Sequence, residues 1–268
     1  TQGMERYSLS NPWDVIMALE GAICFAGTAA RRLAAGAPRE AVFPFQVLVS
    51  ITGRDRLAIK EQTGSEVWLA IWTRAARLDE LLTLLREGRL QCGLRPARSG
   101  VDVVRAISSL GVDRGIESFY RYAIIKGRVG GENYNTAASL GWFDTRERSK
   151  VDLLREIDPW LDGFRRAAGD KNAPPRFKAA LCEIDQAIFD LCRYGGARHL
   201  QSVLIGLGRA EREASIMQGK VGQSKVILKP LIGLSKEWIS QCSDGTPEFM
   251  IARALAGLRD DEFKIGPL

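Results

Sequence analysis

Histidine occurs once in these 268 residues, at His199, and that scarcity removes most hydrolytic chemistry from consideration. A triad needs a base set beside a nucleophile. His199 instead stands between Arg198 and Leu200 near an expected helix start, with no nucleophile motif around it. It reads as a structural or surface residue. The five cysteines (Cys24, Cys92, Cys182, Cys192 and Cys242) form no CxxC pair and are odd in number, so with one histidine they cannot build a standard zinc site. They read as reduced, mostly buried thiols of a cytoplasmic protein. Long apolar runs are missing as well. The longest, Trp13 to Ala30, contains Asp14 and Glu20 and falls short of the ~20 uninterrupted apolar residues of a membrane span. Nor is there a nucleotide-binding loop. Gly219-Lys220-Val221-Gly222-Gln223-Ser224-Lys225 lacks the spacing that brings a lysine to terminal phosphates, and Gly206-Leu207-Gly208 lies inside a helical pattern. Neither a cofactor nor a bound metal is expected.

What remains is ordinary globular composition, 46% hydrophobic and 26% charged, enough to bury a sizeable core. The net charge of +6 and pI near 9.2 suit a polyanionic partner only mildly. Its distribution says more: from Arg86 to Arg128 there are nine basic residues against four acidic ones, Glu87, Asp102, Asp113 and Glu117.

Asn11-Pro12 reads as an N-cap with proline at the first helical position, opening a helix to about Ala34. That helix is apolar nearly all round and is expected at the centre of a core. Residues 41–72 are rich in β-branched and aromatic residues around the turn signal Gln62-Thr63-Gly64-Ser65, which predicts a small sheet or hairpin. Helices are predicted over Leu78–Glu87, Ser99–Leu110 and Asp113–Ile125, the first two closed by Gly88 and Gly111. The stretch from Gly127 to about Arg148 reads as irregular, and a domain boundary is placed near residue 150. Beyond it, apolar stripes at helical spacing (Leu153, Leu154, Ile157, Trp160, Leu161, Phe164; then Phe177, Leu181, Ile184, Ile188, Leu191) predict a compact bundle over 151–268. The expected fold is mainly α with a small β element near 41–72 and a C-terminal helical bundle.

The basic segment is the best functional candidate. Asp102, Arg105 and Ser109 form the polar stripe of one predicted helix, and Arg98 extends it across the N-terminus. Arg114 and Arg121, seven apart, share a face of the next predicted helix opposite Ile116. With Arg95, Lys126 and Arg128 they would form one phosphate-contacting surface that binds by charge rather than base identity. A local reading competes: Glu117 lies three residues from Arg114 and four from Arg121, the spacing of a helix salt-bridge ladder. A scattered set on the bundle (Arg165, Arg166, Arg176, Lys178, Arg193, Arg209, Arg212) resembles a solvated face. Glu20, amid apolar residues, reads either as a metal ligand or general base, or as a buried acid satisfied by an arginine or by backbone amides. Any of the six tryptophans could stack on a base, but most sit in apolar patterns that suit core packing; Trp142, in the irregular segment near Tyr134, is the least constrained.

Several runs, taken in order, carry a resemblance. They are Asn11-Pro12-Trp13-Asp14, Ala18-Leu19-Glu20-Gly21, Phe25-Ala26-Gly27, Phe43-Pro44-Phe45, the stretch Gly111 to Tyr122, Glu156-Ile157-Asp158-Pro159-Trp160-Leu161, and Asp244-Gly245-Thr246-Pro247-Glu248-Phe249. Together they resemble the central and C-terminal regions of the large subunit of the type I-G (formerly I-U) CRISPR Cascade complex, from about Asn11 to the last residue. The resemblance implies that the chain is incomplete relative to that family, either a piece of a longer subunit or a product that starts internally, for example at Met4, since it opens at Thr1 and stops where that family continues. It implies a non-catalytic subunit, or part of one, with guide RNA, target DNA, backbone and other Cascade subunits and a recruited helicase-nuclease as partners. The bundle resembles the small-subunit part of such complexes. Two other readings stay open: a stand-alone helical nucleic-acid-binding regulator, and an enzyme built around Glu20 and other buried carboxylates.

Overall fold

The computed structural model describes residues 11–26, 45–47, 63–87, 91–92, 95–110, 115–129, 132–145, 149–170, 173–218 and 229–256. In chain order they form α1 (Pro12–Ala26), β1 (Gln46–Val47), β2 (Thr63–Trp72), α2 (Leu78–Glu87), β3 (Gln91–Cys92), β4 (Arg95–Pro96) and α3 (Gly100–Leu110). There follow β5 (Ile116–Val129), β6 (Glu132–Asp144), a 3-10 turn (Ser149–Leu153), α4 (Leu154–Gly169), α5 (Pro175–Tyr194), α6 (Ala197–Gln218), α7 (Lys236–Cys242) and α8 (Pro247–Ala256). The protein is mainly α-helical, with a four-stranded antiparallel sheet of order β1-β2-β5-β6 and a separate β3–β4 pair.

The sheet is larger than the sequence reading allowed. Residues 116–125 were expected as the body of a helix and are strand; residues 132–144 were expected to be irregular and are the strand paired with it. The cause is local. Ile-Glu-Ser-Phe-Tyr-Arg-Tyr-Ala-Ile-Ile is rich in aromatic and β-branched residues, which fit a pleated surface better than a helix. Its burial alternates with period two: Phe119, Arg121 and Ala123 are buried, while Tyr120, Tyr122 and Ile124 are half-exposed. Between Arg121 and Tyr122 the register slips, because Arg121 pairs with Gly141 and Tyr122 with Ser139. One extra residue, Leu140, is thus held in β6 as a bulge, and Gly141 supplies the positive φ of 83° there.

The inner face of the sheet and the helices share one core. Trp68 meets Phe119 and Phe143 edge-on at 6.1 and 5.7 Å, and Phe143 meets Phe189 of α5 at 5.7 Å. Val101, Val104 and Ile107 of α3 belong to the same cluster, as do Leu154, Ile157, Leu161 and Phe164 of α4 and Phe177, Ile184, Ile188 and Leu191 of α5. The bundle stripes lie where helical periodicity puts them. This core runs on without a break past residue 150.

α1 begins as expected, with Asn11 Oδ1 accepting the Trp13 N–H at 3.0 Å. It is not a core helix. Trp13, Met17 and Leu19 are 70, 65 and 62% exposed. Apolar composition states a need for cover without naming what supplies it.

Side chains tie the segment after α6 back to the bundle. Glu156 accepts from the Ser235 N–H and Oγ, both at 2.8 Å, and from Trp238 Nε1 at 3.0 Å. Trp160 Nε1 donates to the Lys229 carbonyl at 3.0 Å, and Glu211 accepts the Leu231 N–H at 2.7 Å.

Candidate nucleic-acid interface

The two arginines expected at the centre of a phosphate surface are inside the protein. Arg121 projects from β5 to the inner face, where its Nε donates to Glu66 Oε1 of β2 at 2.7 Å and its Nη2 lies 2.7 Å from the same oxygen. Its guanidinium is held between two rings, with Cζ 4.8 Å from the Trp68 centroid and 4.6 Å from that of Phe189. Arg121 and Glu66 are 2 and 0% exposed. A side chain at Gly100 would place its Cβ 2.5 Å from Glu66 Oε2, so any larger residue there would have to displace the Glu66 carboxylate.

Arg105 is likewise buried. It grips Asp158 of α4 with both terminal nitrogens, at 2.6 and 2.9 Å. The rest of the expected polar stripe does the same job. Asp102 accepts the Arg98 N–H at 3.0 Å and lies 3.9 Å from Arg165 of α4, and Ser109 donates to Asp152 at 2.7 Å. Arg165 also donates to Asp185 of α5 at 2.8 Å. Burial raises the Asp185 carboxyl pKa in spite of that arginine. The stripe is therefore a seam between α3 and the bundle. A polar helix face needs polar partners, and a facing helix supplies them here in place of water.

Of the remaining candidates, Arg98 is exposed. Arg95 lies in β4, and Lys126 and Arg128 lie along β5 opposite Asn135 and Asn133. Arg114 and the Gly219–Lys225 segment lie outside the described residues. Since β5 is a strand, Glu117 and Arg121 are not the four-apart neighbours on a helix that a salt-bridge ladder needs. Glu20 is exposed, so it is not the buried acid among apolar residues that was expected. His199 donates from Nδ1 to the Gly195 carbonyl at 2.6 Å and stacks on Tyr194. Burial pushes the Cys242 thiol pKa up to about 11, which makes it a poor nucleophile. Among the described residues no three His, Cys, Asp or Glu side chains gather to hold a metal, and no helix is long and apolar enough to cross a membrane.

The feature that reasoning from the sequence missed is the outer face of the sheet. Pairing sets Leu69, Tyr120 and Trp142 side by side across β2, β5 and β6, with Val67, Tyr122 and Ser139 as the next row. Trp142 is 49% exposed. Its ring lies 4.7 Å from that of Tyr120 at 84°, and Tyr122 lies 4.9 Å from Tyr120 on the other side. The Tyr120 hydroxyl is hydrogen-bonded to Ser139 Oγ at 2.6 Å. Of these residues, the sequence reading offers Trp142 for stacking, as the least constrained of six tryptophans. Its two companions had been assigned to a helix, although Phe119-Tyr120-Arg121-Tyr122 already carries the strand signal. No protein-family model matches the chain, and no curated protein matches it.

Proposed function

We propose that this chain is a non-catalytic nucleic-acid-binding subunit, or part of one, of an RNA-guided CRISPR interference complex, as its resemblance to the type I-G large subunit implies. Guide RNA and target DNA are its polyanionic partners, the backbone and other Cascade subunits its neighbours, and a recruited helicase-nuclease makes the cut. In such assemblies guide pairing supplies sequence specificity, and protein surfaces hold the strands. The observation that carries the reading is the half-open aromatic sheet face, in a chain of net charge +6 whose strand β5 continues from the aromatics to Lys126 and Arg128. Aromatic side chains on an open sheet beside basic residues are a recurring surface for nucleic acid. Arg105 and Arg121 support this surface from within; Arg95, Arg98, Lys126 and Arg128 stay as candidates for phosphate contact.

The test is titration of the intact chain with labelled single-stranded RNA, single-stranded DNA and duplex DNA at rising salt. Binding to at least one is expected, with log affinity falling linearly with log salt at about −0.7 per single-strand phosphate or −0.9 per duplex phosphate neutralised. Arg98→Gln should flatten the slope by about one such unit. A chain that binds none of the three at low salt is not a nucleic-acid-binding subunit.

A further inference from the structure

We propose that the outer sheet face takes unpaired nucleobases, stacked on Trp142 and the Tyr120–Tyr122 pair, so that it holds single-stranded nucleic acid without reading its sequence. This rests on the nucleic-acid-binding function above and names the class of strand.

Three observations support it. The Trp142 and Tyr120 rings are nearly perpendicular, so their mutual contact covers one face of one ring rather than a face of each, as stacking would. Tyr120 is fixed by its hydrogen bond to Ser139, and both Tyr120 and Trp142 stand on paired strands rather than loops, so little side-chain freedom is lost on binding. The remaining described neighbours on this face offer little to read a base edge. Val67, Leu69, Ile71 and Ile124 are apolar, and Gln46 and Ser65 are hydrogen-bonded to each other at 2.7 Å. A surface made mostly of rings and apolar side chains favours bases by their faces, which all bases share. A duplex keeps those faces inside its own stack. The occupant is set by charge: the chain carries a net +6, and β5 continues from the aromatics to Lys126 and Arg128.

The experiment compares the intact wild type with Trp142→Leu, Tyr120→Leu and Trp142→Phe. Fluorescence anisotropy follows binding of short oligo-dT, oligo-dA, mixed-sequence RNA and a DNA hairpin duplex. Melting curves and near-ultraviolet circular dichroism confirm that each variant is folded. Wild type should bind the single strands with similar affinity and quench a 2-aminopurine placed in them. Trp142→Leu should lose roughly tenfold or more of single-strand affinity and most of the quenching, with the salt slope unchanged because no charge is removed. Trp142→Phe should keep most of both. If wild type binds single strands and both leucine variants bind equally well, the platform is wrong while the nucleic-acid function stands. If wild type binds duplex alone, the platform is wrong again. If it binds no nucleic acid, both readings fall, and self-association or capture of an apolar protein segment by this face becomes the finding.

Discussion

Tyr120 and Arg121 are neighbours in sequence and opposites in environment. Tyr120 faces outward, half-exposed, beside Trp142; Arg121 faces inward, almost fully buried, between Trp68 and Phe189. The residue type that suits water is in the core, and a ring that suits a core is at the surface. A charge is kept inside only when its partner and its hydrogen bonds come with it, and Glu66 and the two rings meet that demand. Exposed aromatic area has no such internal account, which is why the outer face reads as a place for something else to sit.

The largest break in this comparison comes from Arg121→Gln or Glu66→Gln. Each leaves one buried charge alone and should cost about 3–5 kcal/mol in chemical denaturation, whereas Tyr120→Leu, one residue away, should cost about 1 kcal/mol. Equal losses at 120 and 121 would mean the two faces are not distinct. Arg105→Gln extends the same logic to α3. It should lower stability by about 3 kcal/mol by stranding Asp158, and leave the salt slope of nucleic-acid binding unchanged. A flattened slope with unchanged stability would return Arg105 to the phosphate surface.

The smallest effect concerns an exposed carboxylate. Hydrogen bonds from Ser235, first its backbone N–H and then its hydroxyl, hold Glu156 below its usual value of 4.5, with Trp238 adding to the shift. A depressed acid contributes stability that is present above its unfolded pKa and is lost as pH falls through the folded one. Lowering pH into the acid range should therefore loosen α7. The sign is checked by the Trp238 emission shift: wild type should show an acid-dependent component that Glu156→Gln lacks.

Much of the helical part was legible because it depends on local patterns. α2 ends where Gly88 predicts, and α4 and α5 bury the stripes their spacing predicts. The sheet and the candidate surface were less legible for two reasons. The spacing of Arg114 and Arg121 fits a helix face by number alone, and it was allowed to outweigh the β-forming residues between them. The polar stripe of α3 is answered by Asp158, 53 residues away from Arg105, and no local pattern announces a partner at that distance. Among the three of the seven expected phosphate contacts whose side chains are described, Arg98 is exposed, while Arg105 and Arg121 support the fold.

The bulge at Leu140 gives β6 two phases rather than one. Before it, odd-numbered positions such as Ala137 and Ser139 oppose Ile124 and Tyr122; after it, even-numbered Trp142 opposes Tyr120. Were Leu140 paired rather than bulged, every residue after it would slip by one register position, as a frameshift acts on codons, carrying Trp142 toward the core and Phe143 toward solvent; deleting Leu140 would instead leave a regular strand with Trp142 still opposite Tyr120. The separation of the hairpin's wet face from its dry one after that point is thus held by a single unpaired residue.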